Sequence, residues 1–349
     1  MSQLTVPASF SALRARETDA GVTATVEQCT PEELPEGDVT VRVSHSSLNY
    51  KDALSLQGNR GVTKAYPHTP GIDAAGVVVT SSVDSVPPGT AVVVHGYDLG
   101  MNTWGGFSEY IRVPAEWVVA LPESLTPRTA MIYGTAGYTA ALSVERIDRI
   151  LRARPQDAAA GPVVVSGAGG GVGSIAVAML AGLGYAVTAS TGQADNPDVR
   201  EWLASLGASE VVDRDAVAAA AEKPIAKARW IAGVDTTGGT ILAGMVKAAG
   251  YGAPITACGL TRDADLPLTV FPFILRGVQL IGIDSVQNPI DERRRVWNRI
   301  AGDLRQPNVE QGHANVSETD LPGVPEVARS LLEGTHRGRT VVRVAPDSQ

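Results

Sequence analysis

The sequence predicts an α/β protein made of a β-rich, barrel-like domain and a doubly wound parallel sheet. The first 125 or so residues contain short β-branched runs separated by glycine and proline turns, which is typical of small barrels. Between residues 163 and 283, apolar strands alternate with helical stretches, as in a doubly wound sheet. The 349 residues suit two domains of about 150 residues each.

The β-rich part consists of one alternating run and two β-branched runs, and a Pro87-Pro88-Gly89 turn separates the last two. The pattern changes at Thr126, which is suited to cap a helix, with Pro127 in the first helical position. That helix contains Met131–Val144. The three predicted strands are Asp38–Val43, Gly76–Thr80 and Thr90–Val94.

Beyond this helix we expect a six-stranded parallel sheet and then a return to the first domain. The expected domain limits are 1–126 and 289–349 for the β-rich domain and 127–288 for the sheet. The predicted elements are the strands Val163–Ser166, Ala186–Ser190, Glu210–Val212, Trp230–Asp235, Ala253–Ala257 and Gln279–Ile283, the helices Asp291–Leu304 and Val324–Leu332, and the strand Arg339–Val344.

Charge and cysteine content disfavour several classes of function. The net formal charge is −8 and the sequence shows no basic stripe, so we expect no nucleic-acid partner. Cys29 and Cys258 are the two cysteines, which indicates a reducing cytoplasm. The first ten residues do not predict a signal peptide.

One uncharged segment, between Asp157 and Asp195, could be taken for a membrane span. Nine of its 37 residues are glycine, and the turn run Ser166–Ser174 interrupts it. A strand, a glycine loop, a buried helix and a second strand explain it better than a spanning helix of about 20 residues. We therefore expect no membrane partner.

The strongest local signal is a glycine-rich loop between a strand and a helix. It has five glycines within residues 167–173, and Ala168, Gly170 and Gly173 occupy the three positions of the dinucleotide fingerprint. Backbone N–H groups in such a loop can approach a pyrophosphate, and the helix N-terminus adds positive charge. A tight packing loop without a ligand is the alternative.

The end of the second strand of the sheet indicates which dinucleotide to expect. NAD-binding proteins place an acidic residue there, whereas this chain has Thr191-Gly192-Gln193 and no acid before Asp195. Hydroxyl and amide groups suit a 2′-phosphate, and Arg214 is a candidate counter-charge. The alternative for Arg214 is a solvated loop arginine. The sequence favours NADP(H).

The histidines show no metal-ligand spacing, and no cysteine lies near one in a ligand pattern. We therefore expect no metal. Hydride transfer without Lewis-acid help disfavours alcohol oxidation and favours reduction of a polarised double bond. The histidines are His45, His68, His95, His313 and His336.

Several blocks of the sequence carry a resemblance to known proteins. They are SLNYKDAL, PGIDAAG, WGGFSEY, MIYGTAGYTA, ACGL, PFILRGVQLIGIDS and GRTVVRV. With the glycine loop, these blocks resemble the zinc-free, quinone-oxidoreductase-like branch of the medium-chain dehydrogenase/reductase superfamily. Zinc-dependent members have a Cys near the Asn49–Tyr50 position and a His-Glu pair where this chain has Ile72-Asp73. More narrowly, residues 34–344 are similar to the acrylyl-CoA reductase family.

The resemblance implies a GroES-like catalytic domain, a Rossmann domain and NADPH-dependent reduction of acryloyl-CoA to propionyl-CoA. It also implies a homodimer paired through the edge strand Gln279–Ile283. Because the family commonly has Ser-Gly-Arg at residues 191–193, the preference for NADP depends more on Arg214 here. The implied cofactor contacts are Tyr50, Gly169, Gly170, Gly171, Val172, Thr191, Gly192, Gln193, Arg214, Leu260, Ile274, Ser285 and Arg339.

The candidate catalytic residues are Asn49, Tyr50 and Asp52. We expect Tyr50 to position the nicotinamide, between the two domains, or to donate a proton. Asn49 would orient substrate or ribose, and Asp52 would anchor the loop. A capped turn into the helix Ala53–Leu56 is the alternative. For the phosphates of CoA, residues Arg293–Arg295 are candidates, with a solvated helix face as the alternative.

Two other functions stay open at this point. One is an NADPH-dependent quinone or enone reductase of the same superfamily. The other is a protein that binds NADPH without catalysis, against which the intact block of residues 49–52 argues.

Overall fold

The computed structural model describes residues 5–154, 161–311 and 316–345. His313, one of the histidines of the sequence, lies outside them. The chain divides into two compact units, the first from Met1–Thr135, Ser285–Ala301 and Asn315–Gln349 and the second from the remaining residues, Ala136–Asp284 and Gly302–Ala314. The domain limits near residues 126 and 288 stay a prediction, because compactness does not show which segment folds alone.

The described strands and helices follow in chain order. The strands are β1 (Phe10–Thr18), β2 (Gly21–Cys29), β3 (Val39–Leu48), β4 (Asp73–Ser81), β5 (Ala91–His95), β6 (Tyr110–Val113), β7 (Val118–Ala120), β8 (Val163–Val165), β9 (Val187–Thr191), β10 (Glu210–Asp213), β11 (Ala232–Asp235), β12 (Pro254–Ala257), β13 (Gln279–Gly282), β14 (Val316–Asp320) and β15 (Arg339–Arg343). The α-helices are α1 (Tyr50–Leu56), α2 (Pro127–Arg152), α3 (Gly171–Gly182), α4 (Pro197–Ser205), α5 (Arg214–Ala218), α6 (Gly239–Lys247), α7 (Phe271–Arg276), α8 (Ile290–Ala301), α9 (Pro307–Glu310) and α10 (Val324–Leu332).

A seven-stranded sheet forms the centre of the first unit. Its order is β14-β15-β3-β4-β5-β7, with β6 also paired to β3, and β1 and β2 form a separate antiparallel hairpin. Alternate residues of β3, namely Val39, Val41 and Val43, are fully buried in the apolar core of this unit. Since β3 and β4 are antiparallel, the end of β3 lies against the start of β4, and this junction holds the polar site described below.

The second unit is built on a six-stranded parallel sheet. Its order is β10-β9-β8-β11-β12-β13, and each neighbouring pair is parallel. Numbered from β8, this is the doubly wound order 3-2-1-4-5-6. Residues Val163–Val165 of the central strand β8 are fully buried, as expected for a parallel sheet that is covered on both faces.

The predicted fold class and six-stranded sheet are confirmed. The cap at Thr126 is confirmed as well, because its Oγ1 accepts a hydrogen bond from the N–H of Thr129 at 3.1 Å. The predicted helix end at Leu304 is wrong: α8 ends at Ala301, and Gly302, a helix-ending residue, follows. The hairpin β1–β2 was not predicted, because its first strand is rich in helix-forming Ala, Leu and Arg, and strand pairing overrides that preference.

In the described part of the uncharged segment that ends before Asp195, β8, the glycine loop, α3 and β9 follow one another, as predicted. Among the described residues, no helix combines the length and the apolar character that crossing a membrane requires.

Candidate active site and nucleotide site

A buried carboxylate, Asp73, lies at the centre of a polar cluster in the first unit. It begins β4 and is fully buried. Its Oδ2 accepts hydrogen bonds from Ser47 Oγ at 2.5 Å and from Asn49 Nδ2 at 2.7 Å. The Asp73 cluster, as we call it, consists of Ser47, Asn49, Asp52, Asp73, Thr135 and Arg339.

The helix α2 contributes to this cluster through a kink at Gly134, where φ is 51° and ψ is −153°. Beyond the kink, Thr135 donates to Asp73 through its backbone N–H at 3.0 Å and through Oγ1 at 2.6 Å. A Cβ on Gly134 would lie 2.4 Å from Asp73 Oδ2 and 2.7 Å from Ser47 Oγ. Glycine is therefore required here both by the positive φ and by the lack of space.

Arg339 enters the cluster from β15, which pairs with the end of β3. Its Nε and Nη1 donate to backbone carbonyls, Nη1 also donates to Asn49 Oδ1 at 3.1 Å, and Nη2 donates to Ser47 Oγ at 2.7 Å. Nη2 lies 3.9 Å from Asp73 Oδ2. Arg339 is 3% exposed, so all three guanidinium nitrogens are held by the protein itself, and its contact with a cofactor stays a prediction.

Asp52 ties α1 to the segment that leads into β4. Its carboxylate accepts backbone N–H groups from Asn49 at 2.8 Å, Gly71 at 3.1 Å and Ile72 at 2.9 Å. Burial, with a contribution from the charge of Asp73, raises the pKa of Asp52 to about 7, although the three N–H donors favour the ionised form. This is the geometry of a structural anchor.

The other two candidate catalytic residues have opposite environments. Asn49 is buried, and its side chain donates to Asp73 and to Ser47 while it accepts from Arg339. Tyr50, the first residue of α1, is 39% exposed, and its hydroxyl forms no hydrogen bond with a described residue. Of the three candidates, Tyr50 is therefore the one whose functional group is available to a ligand.

The cluster also tests whether the chain fits a catalytic metal ion. Zinc sites use three or four Cys, His or carboxylate ligands, and the described residues contain no group of three or more such side chains with that geometry. The carboxylate of Asp73 is already occupied by hydroxyl, amide and guanidinium donors. These residues do not fit a zinc ion, and we derive no step through a metal.

In the second unit, packing requires glycine at some positions of the glycine loop but not at others. A Cβ on Gly173 would lie 2.3 Å from the carbonyl oxygen of Gly167, and one on Gly167 would lie 2.2 Å from Thr236 Oγ1. In contrast, the nearest atom to a Cβ on Gly169 or Gly170 would be 3.4 or 3.3 Å away. The contact at Gly170 is a tight one with the backbone oxygen of Gly167, whereas the contact at Gly169 is an ordinary van der Waals distance. Packing therefore does not explain glycine at residue 169, whereas a ligand that approaches the backbone does.

The loop is held by a buried network at the ends of β8 and β11. Asp235 accepts from Ser166 Oγ at 2.6 Å, from Thr237 Oγ1 at 2.8 Å and from the N–H of Gly238 at 2.8 Å. Burial raises the pKa of Asp235. Because α3 begins at Gly171, within the glycine loop, its first N–H groups lie next to Gly169 in the chain and are available to an anion.

Arg214 lies over the turn that follows β9. A Cβ on Gly192 would be 2.9 Å from the guanidinium carbon of Arg214, and Thr191 Oγ1, in the same turn, accepts the N–H of Gln193 at 3.3 Å. Arg214 is exposed and forms no ion pair with a described carboxylate. An unpaired guanidinium held against a turn of small and hydroxyl residues favours an anion site over a solvated loop arginine.

The remaining predicted cofactor residues are dispersed in the structure. Leu260 follows β12 and is 66% exposed, and Ile274 lies in α7 and is 69% exposed. Ser285 is half-buried in the segment between β13 and α8. Val172, in the first turn of α3, is half-buried and follows the glycine run of the loop.

The three arginines considered for CoA are placed differently from one another. Arg293 is fully buried, and Arg294 and Arg295 pair with Asp291 at 3.1 Å and Glu292 at 2.7 Å on the exposed side of α8. The alternative of a solvated helix face therefore describes Arg294 and Arg295, whereas the burial of Arg293 was not visible in the sequence.

The second unit has the glycine loop and the strand order of a dinucleotide-binding sheet, and the first unit presents Tyr50, whose hydroxyl is available to a ligand. These features point to a nucleotide-dependent oxidoreductase. Family models agree. "Alcohol dehydrogenase GroES-like domain" matches residues 35–123, and "Zinc-binding dehydrogenase" matches residues 171–302.

Curated relatives match nearly the whole chain. The acrylyl-CoA reductase AcuI of Ruegeria pomeroyi is 44% identical over 94% of this chain and 97% of its own length. The putative quinone oxidoreductase YhfP of Bacillus subtilis is 41% identical over 96% of this chain and 99% of its own. The chain belongs to the medium-chain dehydrogenase/reductase family.

Solved structures of relatives have the same fold and differ in the nucleotide they hold. The Escherichia coli K-12 protein YhdH with bound NADPH is 42% identical, with a TM-score of 0.89 over 96% of this chain and 100% of that one. The Bacillus subtilis protein YhfP with bound NAD is 40% identical, with a TM-score of 0.90 over 97% and 100%.

Proposed function

We propose that this protein is an NADPH-dependent reductase of an enoyl-CoA, which converts acryloyl-CoA to propionyl-CoA. The observation that carries the proposal is the open glycine of the loop, Gly169, together with the unpaired Arg214 at the end of the neighbouring strand. The 44% identity with an acrylyl-CoA reductase over 94% of the chain supports the choice of substrate.

NADPH, when bound, supplies the hydride that adds to the β-carbon of the enoyl thioester, and a proton adds to the α-carbon. Tyr50 is the proposed catalytic residue, as the proton donor or as the support of the nicotinamide, since its hydroxyl is available. The Asp73 cluster keeps Asn49 and the start of α1 rigid beneath it. Because charge builds on the thioester oxygen, fixed hydrogen-bond donors near it would lower the barrier.

We propose the remaining cofactor contacts at Leu260, Ile274, Ser285 and Arg339, as the resemblance implies. Gln193 provides an amide where relatives commonly have an arginine, so Arg214 is the main counter-charge for a 2′-phosphate. The relatives that bind NADPH and NAD show that this fold accepts both nucleotides. Because Gln193 replaces one partner of the 2′-phosphate, we expect this protein to use NADH in part as well.

A quinone reductase is the second candidate, because a relative 41% identical to this chain is named a putative quinone oxidoreductase. NADPH consumption with acryloyl-CoA, crotonyl-CoA and a simple quinone decides between the two, and each assay is repeated with NADH. We expect the largest kcat/KM with acryloyl-CoA and NADPH. A much larger value for the quinone would overturn the CoA assignment, and tight NADPH binding without turnover on any enoyl thioester would overturn catalysis.

We further propose a homodimer through the edge strand β13. Leu280 of this strand is 37% exposed, and its neighbour α7 exposes Phe271 at 43%, Ile274 at 69% and Leu275 at 57%. An unpaired apolar edge is an aggregation hazard that a second copy would cover. Light scattering should give twice the chain mass for the protein and the single mass for Leu280→Lys.

We place the protein in the cytoplasm. Cys29 and Cys258 are free thiols, as expected in a reducing compartment.

A further inference from the structure

Arg293 holds the segment that leads from β13 to α8. This arginine of α8 is fully buried. Its guanidinium donates to the backbone carbonyls of Val286 at 2.7 Å, Asn288 at 3.1 Å and His95 at 2.8 Å. The guanidinium carbon also lies 4.2 Å from the centroid of the Tyr97 ring, so a single side chain joins the loop after β5 to the segment before α8.

Tyr97 holds the same segment from the other side. Its N–H donates to the carbonyl of Val286 at 2.8 Å, and its hydroxyl donates to the carbonyl of Asn288 at 2.9 Å. Its ring stacks on Trp117, with centroids 5.3 Å apart. Tyr97 is the one non-glycine among the described residues with a positive φ, 50°, and strained backbone of this kind persists where the surroundings enforce it.

Arg293 packs directly against His95 at the end of β5 and against Gly96 in the loop that follows. A Cβ on Gly96 would lie 2.5 Å from Arg293 Nη2. Trp297 Nε1 donates to His95 Nε2 at 2.9 Å. Burial and the nearby charge of Arg293 lower the pKa of His95 well below its ordinary value. His95 therefore stays neutral, and the arginine keeps one fixed set of partners over the physiological pH range.

The segment that Arg293 and Tyr97 hold is short and follows the carboxyl end of β13. Ser285 begins it, three residues after β13 ends at Gly282, and its own carbonyl lies 3.4 Å from Arg293 Nη2. Ligands of doubly wound sheets bind outside the carboxyl ends of the strands, and β13 ends there. The carbonyls of Ser285, Val286 and Asn288 are thus held by Arg293 and Tyr97, each of which also stacks on an aromatic ring. A segment that only connects two elements does not require so many contacts.

We propose that Arg293 and Tyr97 are positioning residues for the nucleotide, which act by fixing Ser285 at the end of β13. The proposal rests on the proposed function, because it takes Ser285 as a cofactor contact. Neither residue touches the reacting atoms. Loss of either one therefore weakens NADPH binding and leaves the chemical step intact.

The test measures the Kd for NADPH by fluorescence titration, beside kcat at saturating NADPH. Arg293→Lys keeps the charge but loses the fork that bonds several carbonyls, and Tyr97→Phe loses one hydroxyl and keeps both ring contacts. A misplacement of about 1 Å can cost as much as 100-fold, so we expect the Kd to rise roughly tenfold in R293K. Loss of one hydrogen bond predicts a rise of roughly threefold in Y97F. In both, kcat should stay within twofold of wild type.

Arg294→Lys is the matched control, because Arg294 lies on the exposed side of α8 and pairs with Asp291. The Kd of this variant for NADPH should not change. If R293K does not fold, Y97F alone decides. An unchanged Kd in the folded variants, or a kcat that falls as much as affinity, would overturn the inference. Failure of the wild type to oxidise NADPH with acryloyl-CoA would instead refute the proposed function, and the Kd comparison would still stand.

Discussion

The Asp73 cluster and the glycine loop are both polar sites, but the protein fills one of them and leaves the other open. In the cluster, Asp73, Asn49 and Arg339 bond to one another or to backbone groups. In the loop, Gly169 has space beside it, and the nearby Arg214 has no described carboxylate partner. The cluster is thus explained by folding, whereas the loop is explained by a ligand.

This difference changes how the block of residues 49–52 is interpreted. Its residue types suggest catalysis, yet Asn49 and Asp52 are buried in the scaffold, and Tyr50 alone presents a functional group. The expected capped turn and the expected active-site corner are therefore the same structure. Substitutions in the cluster should change stability first, and substitutions at the open sites should change ligand affinity first.

The largest effect is expected for Gly134→Ala, because its Cβ would meet Asp73 and Ser47 and its φ is positive. We expect a loss of about 3–5 kcal/mol in the free energy of unfolding, measured with urea. Gly89→Ala is the control, since Gly89 also has a positive φ of 89° but nothing within 4 Å of its Cβ. Equal losses in the two variants would mean that the cluster is not filled as described.

Arg214→Ala should separate the two nucleotides. Hydrogen bonds to charged groups contribute about 1.5–3 kcal/mol, so the Kd for NADPH should rise about 10- to 100-fold while the Kd for NADH stays unchanged. Titration with 2′,5′-ADP and 5′-AMP reports the same difference without the nicotinamide. A parallel loss of affinity for both nucleotides would place Arg214 outside the 2′-phosphate site.

Asp52→Asn tests the anchor within the cluster. An amide in place of the carboxylate turns one acceptor into a donor that faces N–H groups, which should cost about 1–3 kcal/mol. The pKa of Asp52 in the folded protein, about 7, lies above the ordinary value of 3.8. The native state therefore binds this proton more tightly, and the stability it contributes is present below about pH 4 and is lost as the pH rises to about 7.

Urea unfolding from pH 4 to pH 8 checks this sign. The stability advantage of the wild type over D52N should be larger at pH 5 than at pH 8. A constant advantage across this range would show that Asp52 is ionised in the fold throughout, with its N–H donors dominant over burial.

The smallest effect on stability is expected at Gly169, the open glycine of the loop. Gly169→Ala should change the free energy of unfolding by less than about 0.5 kcal/mol, as a surface substitution does, but raise the Kd for NADPH. Gly173→Ala should instead cause a clear loss in the free energy of unfolding, because its Cβ would lie 2.3 Å from a backbone oxygen. Unchanged NADPH affinity in G169A would remove the ligand from the explanation of this glycine.

Much of the fold could be predicted from the sequence, because strand and helix periodicity and the glycine loop are local signals. The resemblance also named Asn49 and Arg339 as site residues, and the structure joins these two by a hydrogen bond. Sequence reasoning missed Asp73 as the centre of the site, since that role depends on the pairing of β3 with β4 and on the kink before Thr135. The quoted PGIDAAG and GTAGYTA blocks were the available signals for both.

Burial could not be inferred from residue type. Arg293 was considered with its exposed neighbours for CoA, yet the helix turns it inward onto backbone carbonyls. The positive φ of Tyr97 has no local signature either, because the contacts that enforce it come from residues about 190 positions away. In both cases the deciding contacts are long-range.

The fate of the hydride tests the central claim most directly. Wild-type protein is incubated with acryloyl-CoA and NADPH that carries deuterium at both C4 positions, and the propionyl-CoA is analysed by mass spectrometry and NMR. The account predicts one deuterium per product molecule, on the β-carbon. Product without deuterium, or with deuterium on the α-carbon, would contradict it.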